Sequence, residues 1–165
     1  MKNSILCLLL SIFITSCGIY SFTGASIPNG AETVSVAYFQ NNALTVQPSL
    51  SNTITESVKD ILTSQTNLDM VSRDGDLQFV GEITSYKVKP MAIQANEVAA
   101  QNRLTISVKV NYTNTIDESQ NFSQTFSHYA DFDSAQDLSS VEIELIEEIV
   151  EVLSENIFNK ALANW

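Results

Sequence analysis

Apolar residues recur along this chain at two spacings, and each change of spacing marks a new element. Val34, Val36 and Tyr38 alternate with Thr33, Ser35 and Ala37, which predicts a strand over 33–39. Pro48, read as a first helical position, precedes Leu50, Ile54, Val58, Ile61 and Leu62. Their spacing is that of one apolar stripe on a helix running to about Thr66. A short strand at 68–72 leads to Arg73-Asp74-Gly75-Asp76, where Asp-Gly is a turn signal. Long strands follow at 77–88, 103–114 and 121–130. In the second of them Leu104, Ile106, Val108, Val110 and Tyr112 share one face, opposite Thr105, Ser107, Lys109 and Asn111. Phe122, Phe126 and Ala130 share a side of the last. These strands are too closely spaced for parallel crossovers, so an antiparallel meander is expected. The final element reads as a helix. Ser139-Ser140-Val141-Glu142 has the form of a capping box with Ser139 as N-cap. Ile143, Ile146, Ile149, Val150, Leu153, Ile157 and Ala161 follow at helical spacing. The expected fold is α+β: a two-layer α/β sandwich, two helices packed on a small mixed, largely antiparallel sheet.

The N-terminus has a different pattern. Lys2 precedes a nearly unbroken apolar run over 5–14, too short for a bilayer span of roughly 20 residues and suited to the core of an export signal. Ile14-Thr15-Ser16-Cys17 then resembles the lipobox of bacterial lipoproteins. Cleavage before Cys17 would make it the first residue of the mature chain and the site of lipidation; the alternative is a plain secretory signal beside an incidental cysteine. Residues 1–16 are thus expected to be a signal peptide, 17–30 the lipidated cysteine and its tether, and 31–165 one domain. Multiple acyl chains, at ~0.8 kcal/mol per buried CH₂, would hold the protein stably to a membrane. Cys7 leaves with the signal, so Cys17 has no partner for a disulfide and packing alone must hold the fold.

Charge narrows the function. Eight Lys and Arg against nineteen Asp and Glu give a net charge of −11, and loss of Lys2 with the signal makes it −12. A nucleic-acid partner is therefore excluded. His128 is the only histidine, which rules out a two-histidine metal site. A triad of His128 with a serine and Asp131 or Asp133 is formally possible, but no serine sits in a nucleophile elbow. No motif calls for a cofactor. Glu144, Glu147, Glu148, Glu151 and Glu155 read as a solvated helix face rather than a calcium site, which needs a loop to wrap the ion. The basic residues are more informative. Lys87, Lys89, Arg103 and Lys109 concentrate in the hairpin of residues 77–116, against only Glu82 and Glu97. Its connection also carries Met91, Ile93 and Val98. Cations beside apolar side chains suit an amphiphile with phosphorylated headgroups. A long hairpin whose tip packs on a partner, or on the domain, accounts for them equally well.

Several stretches also resemble a known family. Residues 17–26 (Cys-Gly-Ile-Tyr-Ser-Phe-Thr-Gly-Ala-Ser), Phe39-Gln40-Asn41-Asn42-Ala43, Leu50-Ser51 with Thr55-Glu56, and Arg73-Asp74-Gly75-Asp76-Leu77 are similar to lipopolysaccharide-assembly lipoproteins of the LptE type, in the Bacteroidetes branch. Ala99-Ala100-Gln101-Asn102-Arg103-Leu104-Thr105 and Ile157-Phe158-Asn159-Lys160-Ala161 extend the similarity. The resemblance implies a two-helix layer on a small mixed sheet and no enzymatic activity. It implies a partner, a large outer-membrane β-barrel of the LptD type that the protein plugs and helps assemble, and lipopolysaccharide as the transported lipid. The location implied is the outer membrane, lipid-anchored and facing the periplasm or inside the barrel lumen. It carries over no ligand-binding residue, so Lys87, Lys89, Arg103 and Lys109 stand as candidates on their own pattern. The competing expectation is a stand-alone periplasmic lipid-binding or adhesin-like lipoprotein.

Overall fold

The computed structural model describes residues 26–91 and 100–163. In chain order it contains β1 (Thr33–Val36), β2 (Gln40–Asn41), α1 (Leu50–Gln65), β3 (Asp69–Val71), β4 (Leu77–Met91), β5 (Gln101–Asn114), a 3-10 turn (Glu118–Gln120), β6 (Phe122–Asp133) and α2 (Leu138–Leu162). The six strands form one sheet in the order β3-β1-β4-β5-β6, with β2 also paired to β4. β4, β5 and β6 are antiparallel, whereas β1 runs parallel to both β3 and β4, and β2 parallel to β4. Two helices on a mixed sheet make this an α+β fold, as the periodicity implied.

The core lies between the sheet and the two helices. Ile54, Val58 and Leu62 of α1 and Ile149, Leu153 and Ile157 of α2 are buried against Phe79, Ile83, Ile106 and Val108 of the sheet. Tyr112 is the largest fully buried side chain, its ring 5.0 Å from that of Phe79 and 5.2 Å from that of Phe122. Its hydroxyl finds no hydrogen-bond partner among the described residues, and burial pushes its pKa up to about 12.

Several local expectations are corrected. The first strand breaks after Val36, so Tyr38 is exposed and Phe39 is buried in its place. The Phe39 N–H leaves the sheet and donates to Thr55 Oγ1 at 3.0 Å, while that hydroxyl donates to Ser51 O at 2.6 Å. The phenyl ring covers Gly81, where a Cβ would fall inside it. Pro48 precedes α1 instead of beginning it: Ser49 is the N-cap, and Gln47 Oε1 accepts from Ser49 N, Ser49 Oγ and Leu50 N. The capping box at 139–142 does not form. Asp137 is the N-cap, and Glu142 accepts a 2.5 Å hydrogen bond from the Tyr86 hydroxyl instead of reaching back along its own helix. Ile143 is 71% exposed because the helix presents Leu145 and Ile146 to the core instead.

The meander holds only for β4, β5 and β6. β3 and β4 flank β1, and segment 72–76 passes across it rather than making a hairpin turn. The crossing is close: a Cβ on Gly75 would lie 2.7 Å from Ser35 N and 2.8 Å from the Val34 carbonyl carbon. Asp74 adopts a left-handed φ of 58° to enter it. Asp76 then locks the crossing, its Oδ2 accepting from Thr33 Oγ1 (2.7 Å), Thr33 N (2.9 Å) and Glu32 N (3.0 Å). These donors, the Thr33 hydroxyl foremost, hold the carboxyl below the usual carboxylate range.

Four substitutions test this packing. Leu153→Ala should cost ~2–5 kcal/mol by leaving a cavity under α2, and Gly81→Ala should destabilise as well by displacing Phe39. Ser139→Ala, which removes no cap bond, should leave a denaturant melt nearly unchanged; a large loss there would restore the capping box. Asp76 titrates below its unfolded value, so its contribution is present above about pH 4 and is lost as pH falls through the lowered native value. Asp76→Asn should flatten that acid limb, and an acid limb identical to wild type would show that the crossing draws nothing from the charge.

Candidate functional site

Side chains alternate across a strand, and both helices cover the same face of the sheet. The other face, built from β4, β5 and β6, is left open. Register places Gln78, Val80, Glu82, Lys87 and Lys89 of β4 on it, beside Arg103, Thr105, Ser107, Lys109 and Asn111 of β5. Ser123, Thr125, Ser127, Tyr129 and Asp131 of β6 complete it. A bulge between Ile83 and Ser85 preserves this arrangement, since it shifts the parity of β4 and so keeps Tyr86 in the core and Lys87 and Lys89 outside.

The structure brings all four candidate cations to this face and then divides them. Arg103 meets Asp131 in a fork, Nε to Oδ1 and Nη2 to Oδ2, both at 2.7 Å. Its guanidinium also lies 3.5 Å from the centre of the Tyr129 ring. The hydrogen bonds to Arg103 are the largest influence holding the Asp131 carboxyl below its ordinary range. Lys109 Nζ stands 3.9 Å from Glu82 Oε1 across the β4–β5 pair. Lys87 and Lys89 lie opposite Thr105 and Arg103, are exposed, and have no carboxylate partner among the described residues. Beyond Ile83 no strand among the described residues pairs with the outer edge of β4. A shallow cavity of about 440 Å³ opens there, lined by Thr45, Tyr86, Lys87, Val88, Lys89 and Leu138. Val88 and Met91 are partly exposed nearby, so two free ammonium groups stand beside apolar surface. Ile93 and Val98 of the connection fall outside the described residues, as do Cys17 and the segments expected to be an export signal and a tether, up to residue 25.

Sequence reasoning missed the neutralising partners. Asp131 and Tyr129 share a parity on β6, but only the β5–β6 register sets them beside Arg103 and Thr105. The same register separates the formal triad. His128 is half-buried on the helix side of β6, whereas Asp131 and Asp133 point to the open face. Glu144, Glu147, Glu148, Glu151 and Glu155 of α2 are exposed; Glu147 and Glu151 border a groove of about 320 Å³ against Glu56 and Asp60 of α1. Among the described residues no group of three or more His, Cys, Asp or Glu could hold a metal ion. Nor is any described helix long and apolar enough to cross a membrane.

Fold and site together define a small α+β domain with one face of its sheet covered by helices and the other uncovered among the described residues. That fold recurs in a hypothetical protein from Chlamydia trachomatis, with a TM-score of 0.55 at 9% identity over 81% of this chain and 99% of the other. It recurs in a minor lipoprotein from Acinetobacter baumannii, with a TM-score of 0.50 at 11% identity over 79% and 91% of the two chains. A Xanthomonas campestris protein shares it too, with a TM-score of 0.52 at 11% identity over 81% and 87%. At these identities the likeness is one of fold. No curated protein matches the chain in sequence. The family is nonetheless defined: the model of the LptE family, described as lipopolysaccharide assembly, matches residues 31–161, and the chain belongs to that family.

Proposed function

We propose that the mature chain is an outer-membrane lipoprotein, anchored through Cys17, that assists insertion of lipopolysaccharide into the outer leaflet as the partner and plug of a large β-barrel translocon. The observation that carries this reading is the family match, which runs from just before β1 to the last turn of α2 and so takes in every element of the domain. Two features support it. Ile14-Thr15-Ser16-Cys17 supplies a lipidation site, and Gly18-Ile19 after it contains no aspartate to retain the protein at the inner membrane. Lys87 and Lys89, free of carboxylates beside Val88 and Met91, offer phosphate-binding charge next to apolar surface. Arg103 and Lys109 play a different part, because their charge is already met by Asp131 and Glu82.

Affinity purification of the tagged full-length chain from detergent-solubilised outer membranes tests the reading. A large barrel should co-purify with wild type, and Cys17→Ser should lose both incorporation of a fatty-acid probe and this recovery. A wild-type chain that labels and fractionates with the outer membrane but brings down no barrel would favour the stand-alone lipoprotein.

The free lysines generate a separate prediction. Lys87→Gln with Lys89→Gln should weaken lipopolysaccharide binding and reduce its salt dependence, since exposed charges act only within about 8 Å at physiological ionic strength. Lys109→Gln should change binding far less. Equal losses from the two variants would mean that the ion pair with Glu82 does not withhold Lys109 from the lipid.

A further inference from the structure

A sheet edge is a row of unpaired N–H and C=O groups, and folded proteins shield such edges with proline, lysine, bulges, short strands or a covering segment. The open edges of this sheet differ, and the stretch of β4 beyond Ile83 is shielded by Lys87, Lys89 and Pro90. β3 has only three residues. β6 has twelve, contains no Pro, Lys or Arg, and pairs with β5 in unbroken register. The Ser134 N–H donates to Ala100 O at 3.0 Å, one step beyond the pairing of Asp133 with Gln101. Antiparallel pairing alternates, so the even-numbered residues of β6 bond to β5 and the odd-numbered ones turn N–H and C=O outward. Those residues are Ser123, Thr125, Ser127, Tyr129 and Asp131, all exposed. No backbone hydrogen bond beyond the strand itself reaches them among the described residues.

The edge is also self-complementary. If two copies of β6 meet antiparallel about Ser127, nearly the whole strand overlaps: Ser127 faces Ser127, Thr125 faces Tyr129, and Asp131 faces Ser123. On the helix side Phe122 falls opposite Phe132, and Phe126 opposite His128. No two like charges oppose each other, and each Asp131 is already held by its own Arg103. The chain is strongly acidic and β6 itself carries Asp131 and Asp133, but in this register Asp131 faces Ser123 and Asp133 faces Asn121, so neither meets an acid of the other copy. Glu147 and Glu151 of α2 border the groove against α1, and helical spacing puts the uncharged Leu145, Val152 and Asn156 on the opposite flank.

We propose that the outer edge of β6 is a self-association surface, on which a second copy of this chain adds its own β6 and joins the two sheets. The pairing predicts one short distance that no other arrangement of copies shares. Facing residues at the two-fold axis have Cα atoms roughly 5.5 Å apart, within the range a disulfide spans. Two Thr125 residues in the same register would lie four steps apart, roughly 14 Å, beyond it. The experiment is cysteine cross-linking of the full-length chain in its native membranes with a mild oxidant, wild type giving the background. Ser127→Cys should form a disulfide-linked dimer at least about tenfold faster than Thr125→Cys, and Thr125→Cys should cross-link when co-produced with Tyr129→Cys. Three outcomes overturn the proposal. The Ser127→Cys thiol could stay monomeric while reacting freely with a maleimide, which would show a bare edge. It could be neither cross-linked nor reactive, which would show the edge covered by another protein's strand. Or Thr125→Cys could cross-link as fast as Ser127→Cys, which would show collisions without register.

Discussion

One-sided burial governs this molecule. Two helices seal one face of the sheet, and most apolar residues of β4, β5 and β6 are placed for that face. The period of two pushes most of the polar residues to the other side. The open face with its lysines, the Arg103–Asp131 fork and the hydroxyl rows of β5 and β6 are consequences of that asymmetry. Where the period falters, the fold inserts a correction: the bulge at Ile83/Ser85 returns β4 to phase, and the break after Val36 exchanges Tyr38 for Phe39.

The same asymmetry explains what could be read from the sequence. Strict alternation along β5 identified its buried face, and the stripes at Leu50–Leu62 and Ile146–Ile157 located both helices. Alternation reports which way a side chain points but not which strand lies beside it, so the parallel pairing of β1 with β3 and β4 was not legible. The Asp-Gly pair at 74–75 misled for a physical reason. Glycine is needed there because backbone passes over backbone, not because two strands reverse. The capping box failed in a similar way, because Glu142 found the buried Tyr86 hydroxyl, a tertiary partner that no local motif encodes. The four cations share one hairpin in the sequence and one face of the sheet in the structure. Their division into paired and free depended on carboxylates at Glu82 and Asp131, one across the β4–β5 pair and the other on the far strand.

Charge now has a spatial meaning. A cluster of acidic residues lies on the helices, where Glu147 and Glu151 face Glu56 and Asp60, while Lys87 and Lys89, without a carboxylate partner among the described residues, stand near the end of the hairpin. Such a domain presents unlike surfaces in different directions. An acidic helix layer suits solubility or a basic protein wall, and a cationic margin beside Val88 and Met91 suits phosphorylated lipid. Both are consistent with membership of a family for lipopolysaccharide assembly. The formal charge of the whole chain, taken as one number, conceals this arrangement.

The role proposed for the protein is delivery of lipopolysaccharide to the outer leaflet. Depletion of the chain from cells, followed by quantification of lipopolysaccharide reachable by a membrane-impermeant probe, tests it most directly. Surface lipopolysaccharide should fall while the total stays level or rises inside, and complementation with wild type should restore it. Depletion that leaves surface lipopolysaccharide unchanged would contradict the account.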